Sequence, residues 1–64
     1  MEWKDWIGKR IFVKLQSGGV YTGDVVEVDD NSSNKLIWIV IIDKFGKKVQ
    51  FLDSEVVKIV EEER

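Results

Sequence analysis

The chain has 64 residues, no cysteine, no histidine and no proline, and a formal net charge of −2. So short a chain makes one domain, 1–64, that buries only about 60% of its unfolded surface. Disulfide staples are excluded, a zinc site lacks its usual ligands, and the usual nucleophiles and general bases are missing. The negative balance argues against a generic, charge-driven DNA binder, although a basic patch on one face is compatible with it. Val and Ile together number 17, against three Leu, one Met and no Ala, which favours strands over helices.

In chain order, Trp3, Trp6 and Ile7 recur at helical spacing, Glu2 and Asp5 suit a helix N-terminal turn, and Gly8 suits its stop. A helix that short is stable only against other structure, so the two tryptophans are expected to cap an open end of the fold or to form a contact surface. Arg10 to Gln16 reads as the first strand, with Ile11, Val13 and Leu15 on one face. Ser17-Gly18-Gly19 is a hairpin turn, because glycine reaches positive φ without a Cβ clash.

The second strand, Val20 to Asp29, carries a glycine at position 23. An interior strand glycine marks a bend, a bulge or a close backbone approach. Apolar residues fall on both faces of this strand, as where a strand crosses from one side of a small barrel to the other.

Asp30 to Lys35 is a polar turn cluster. The run Leu36 to Ile42, within a third strand expected to end at Asp43, is wholly apolar and predicts burial on both faces. Lys44-Phe45-Gly46-Lys47 is the next turn, Lys48 to Leu52 the fourth strand and Val56 to Glu61 the fifth, with a tight helical turn at Asp53-Ser54-Glu55. The reading is all-β: a short N-terminal helix followed by a strongly bent five-stranded antiparallel small barrel.

For chemistry, Asp29 and Asp30 are adjacent acids at a loop, best read as a solvated turn. No enzymatic activity, metal or cofactor is expected. Asn31, Asn34 and Lys35 in one loop, with Lys44, Lys47 and Lys48 around another, could meet base edges and phosphates. The bland reading is turn chemistry and surface solvation, and no aromatic is read as interleaving with these lysines as a stacking platform.

The stretch Gly8 to Asp29 resembles the first motif of the Sm and Sm-like (LSm) proteins, through Leu15, Gly18, Tyr21, Gly23, Val25 and Asp29. Phe51 to Val60 is similar to the second motif in its strand, tight turn and Val56-Val57…Ile59 pattern. The resemblance implies an N-terminal helix on a bent five-stranded barrel and self-association into a hexameric or heptameric ring. In that ring the fourth strand of one subunit pairs with the fifth of the next, which here places Val49, Phe51, Val56, Val57 and Ile59 at the interface.

The resemblance further implies contact with single-stranded, uridine-rich RNA at the inner rim, here through Asp29, Asn31, Asn34 and Lys35. The family's stacking position is held by Asn31, its base-reading asparagine by Ser33, and its arginine–glycine pair by Leu52-Asp53. The uridine pocket therefore reads as degraded. The alternative is a protein-interaction or scaffold module using Trp3, Trp6 and a strand edge. A monomeric barrel of the Src-homology type is a third. No apolar run approaches the ~20 residues of a membrane span and MEWKDW is unlike a signal peptide, so a cytoplasmic protein is expected.

Overall fold

The computed structural model describes residues 2–30 and 36–62. Five antiparallel strands form one sheet: β1 (Arg10–Leu15), β2 (Val20–Asp29), β3 (Trp38–Ile42), β4 (Lys48–Leu52) and β5 (Val56–Glu61), in the order β4-β3-β2-β1-β5. A 3-10 turn at Trp3–Trp6 precedes them, and a second at Asp53–Glu55 joins β4 to β5. The expected N-terminal helix is thus a single 3-10 turn. The spacing of Trp3 and Trp6 fits either helix type, and Gly8, at φ +86°, leaves no room for a longer α-helix. Both tryptophans pack half-buried against the core, while Ile7 stays exposed.

The alternation in β1 does what it predicts: Ile11, Val13 and Leu15 are buried. They join Val25, Val28, Ile39, Ile41 and Phe51 in one core cluster. In β2 the buried face changes part-way. Val25 pairs with Ile41 and Glu27 with Val40, so Val26 is an extra residue, a β-bulge. The bulge moves the inward position from Val25 to Val28, which accounts for the mixed faces of this strand. A bulge also increases local twist and bend.

Gly23 contributes to the bend differently. A Cβ there would lie 2.5 Å from the carbonyl oxygen of Ile42 and 2.9 Å from its carbonyl carbon. The glycine is required because the end of β3 lies directly against β2. In β3 itself, Ile39 and Ile41 face the core and Val40 is buried on the other face, with Trp38 and Ile42 half-buried. The strand is shorter than the apolar run at its start, where the Ile37 carbonyl accepts from the Asp53 N–H at 2.9 Å.

The sheet is curled but not closed. Laid flat, four strand spacings would separate β4 from β5 by about 19 Å. A 3-10 turn of three residues, rising ~2 Å per residue, joins them. That turn is tied to both sides, Asp53 N–H to Ile37 C=O and Gln16 N–H to Glu55 C=O at 2.8 Å. Curling brings the two edges together at that end, yet no β4–β5 ladder forms within the chain. Full barrel closure is therefore not a property of this chain by itself.

Candidate functional site

Three regions have the ingredients of a binding surface. The first is the base of the loop between β2 and β3. Asp29 is the last residue of β2, is exposed, and pairs across the ladder with Trp38, which pairs in turn with Leu52. The hydrogen bond from Asp53 to Ile37 holds the Leu52-Asp53 step beside the same end of β3. Asn31, Asn34 and Lys35 lie outside the described residues, so of the sequence-predicted nucleic-acid contacts only Asp29 is placed.

The described surroundings are acidic. Glu27, Asp29, Asp30, Asp53 and Glu55 are carried by this end of the sheet and the second 3-10 turn. Lys4 is paired to Asp30 at 3.3 Å. A depression of about 300 Å³, lined by Glu2, Trp3, Lys4, Val28, Asp30 and Ile37, opens there. Carboxylates in this number repel a phosphate backbone.

The second region is the pair of sheet edges. β4 pairs only with β3 and β5 only with β1, so among the described residues each leaves one row of backbone N–H and C=O groups without a ladder partner. Of the residues expected at an interface, Phe51 is 1% exposed and belongs to the core, so β4 offers a neighbour its backbone there and not that ring. Val49, Val56 and Ile59 are half-buried against the core. Val57 is 59% exposed, because a register shift against β1 leaves it as the extra residue of a second bulge. Val60, 41% exposed, is a neighbouring apolar edge residue that the sequence reading leaves out. Its position opposite Phe12 in the ladder is a register fact that the sequence does not carry.

The third region is the turn between β3 and β4. Asp43 organises it: its Oδ1 accepts from the N–H of Phe45 at 2.9 Å and of Lys47 at 2.8 Å. The backbone closes the same turn, Asp43 N–H to Lys47 C=O and Gly46 N–H to Asp43 C=O, both at 2.9 Å. Gly46, at φ +82°, supplies the left-handed position. The outcome is Phe45 held 83% exposed, between Lys44 on one side and Lys47 and Lys48 on the other. An aromatic does interleave with these lysines, which corrects the sequence reading. The signal is the KFGKK spacing itself, which reads as a turn without showing that the Phe45 ring is exposed.

A groove of about 490 Å³ runs between this turn and the first half of β2, walled by Tyr21 and Thr22 on one side and Lys44 and Phe45 on the other. Arg10 and Asp24 pair across its floor at 3.3 Å. Among the described residues no group of three or more acidic side chains could hold a metal ion, and no helix is long and apolar enough to cross a membrane.

No protein-family model, curated protein or solved structure matches the chain. The functional reading therefore rests on the geometry of these three regions and on the residues that resemble the Sm motifs.

Proposed function

We propose that this chain is an Sm-like assembly module that associates edge to edge into a six- or seven-membered ring and carries single-stranded RNA with reduced uridine selectivity. The observation that supports it is the strand order. Consecutive strands β4 and β5 stand at opposite edges of one curled sheet, each with a backbone row that has no ladder partner among the described residues. One copy's β4 can extend the next copy's β5, a head-to-tail contact that makes a ring when the rotation closes. Unprotected edges are a liability that proteins cover, and neither edge here carries proline. The exposed Val57 and Val60 add apolar area to the β5 side of such a joint.

A chain of 64 residues gains from this burial, since its own core supports only a few kcal/mol. The scaffold alternative through Trp3 and Trp6 is weakened by their packing against the core. The reduced uridine selectivity follows from Asn31 and Leu52-Asp53 in the positions that the family fills with a stacking ring and an arginine. Stacking alone is worth ~1–3 kcal/mol per base, and the described acids at that end oppose phosphate.

Titration with oligouridylate against oligoadenylate at moderate salt tests the pocket. Comparable, weak affinities for the two are expected; tight uridine-selective binding would show that Asn31 and Leu52 do not disable it.

A further inference from the structure

We infer that the turn between β3 and β4 is itself a contact site for single-stranded nucleic acid, with Phe45 as a base-stacking platform and Lys44, Lys47 and Lys48 as phosphate contacts. This goes beyond the assembly reading, since every residue involved belongs to one subunit and lies at the opposite end of β3 and β4 from the loop after Asp29.

Four observations carry it. A phenylalanine 83% exposed is expensive for a chain with so small a core, yet the Asp43 hydrogen bonds and the positive φ of Gly46 hold it outward. These bonds order the turn's backbone, and the described contact of the ring itself is the Lys44 ammonium 5.2 Å from its centroid, so the backbone need not be ordered when a base stacks. The three lysines are exposed, and none takes part in a described ion pair.

The charge distribution explains why a net −2 does not cancel them. Lys48 pairs with Ile42 at one end of β4, and Leu52 with Trp38 at the other, beside Asp29 and Asp53. Four steps along a strand are about 13 Å, beyond the Debye length of ~8 Å at physiological ionic strength. The tip therefore keeps a local positive field. Of the nearer acids, Asp43 has Oδ1 engaged by two backbone N–H groups and Asp24 is paired with Arg10; Glu62 lines the same groove, its backbone N–H bonded to the Arg10 carbonyl at 2.8 Å.

The fourth observation extends the path. The groove beside Phe45 reaches Val20, which pairs with Lys14, and Lys14 stands directly opposite Lys58 on β5. Like charges directly opposite on neighbouring strands are destabilising, and neither lysine has a described ion-pair partner. Neither lysine lines the groove, so a phosphate must pass beyond its Val20 end to relieve that repulsion. The ligand is a strand and not a duplex, because an exposed ring stacks only on unpaired bases.

The test is fluorescence anisotropy with labelled oligoadenylate and oligothymidylate, on the full chain, at two salt concentrations. Phe45→Ala is expected to weaken binding about 5- to 150-fold, the range of one base–aromatic stack (~1–3 kcal/mol), and Phe45→Trp to restore it. Lys44→Gln with Lys47→Gln is expected to reduce the slope of log affinity against log salt by roughly 0.7 for each phosphate that is no longer neutralised.

Lys14→Glu separates binding from structure. It turns the like-charge pair into an opposite one, so the urea midpoint should rise while affinity falls. Each variant is also weighed in solution, so a failure of the ring reading shows as mass and a failure of this one as unchanged anisotropy. An unmodified protein that binds neither oligonucleotide overturns the inference and leaves the turn as a protein contact. So does a Phe45→Ala variant that binds as tightly as the parent.

Discussion

Replacing Gly23 by alanine adds one methyl group, and the structure says where it goes. The new Cβ would sit 2.5 Å from the Ile42 carbonyl oxygen and 3.2 Å from the Asp43 Cα. Those are backbone atoms of the neighbouring strand, so relief requires moving β3 away from β2 at the Asp24–Ile42 pair. Overpacking of this kind costs about 1–3 kcal/mol or more, and the lower entropy of the unfolded alanine chain returns only about 0.4–1 kcal/mol of it in the other direction when no clash exists.

A net loss of about 2 kcal/mol is expected, against a total of roughly 3–10 kcal/mol for a domain of 64 residues. In melting temperature that is a fall of ~8–16 °C. Gly19→Ala is the matched control. Its Cβ would also be too close to a neighbour, at 2.8 Å, but that neighbour is the Tyr21 ring, which can swing away; the cost should stay below about 1 kcal/mol. Urea melts followed by tryptophan fluorescence, at one protein concentration so that any assembly contributes equally, compare the two. If Gly23→Ala loses no more than Gly19→Ala, the close approach of β2 and β3 is not what that glycine is for.

Two further outcomes follow from the same geometry. Phe51→Ala should cost about 3–5 kcal/mol, because the ring is 1% exposed in the core; a cooperative urea transition of nearly unchanged midpoint would contradict its placement inward from an edge strand. Asp43→Ala removes the acceptor of two backbone N–H groups and should cost about 1 kcal/mol, with faster hydrogen exchange at the Phe45 and Lys47 amides and unchanged exchange in β1.

The sequence is most informative where side-chain periodicity decides the structure. Ile11, Val13 and Leu15 alternate cleanly, and glycines at 18 and 46 mark turns that need positive φ. Gly23 announces a close approach, though not which strand approaches. The bulge at Val26 is a different matter: VVEV reads as alternation in either register, and only pairing with β3 decides which residue is extra.

The 3-10 turn at Trp3–Trp6 escapes for a related reason, since spacing i, i+3 fits both helix types. At the edges, the apolar character of Phe51 was legible but its direction was not. At the turn, composition alone weighed three lysines against ordinary solvation, and Phe45 acquires meaning only when Asp43 is seen to hold it outward. The positions resembling the Sm motifs imply a bent sheet and paired edges; in the single chain the sheet is open, with β4 and β5 at its two edges.

Edge-to-edge assembly is the central claim, and solution mass tests it most directly. Light scattering or sedimentation at micromolar concentration should give six or seven times the 7.5 kDa chain mass. Val57→Lys, at an exposed position on β5, should lower that mass while leaving the folded subunit within about 0.5 kcal/mol. A monomer of 7.5 kDa at that concentration, with the fold intact, would contradict the account.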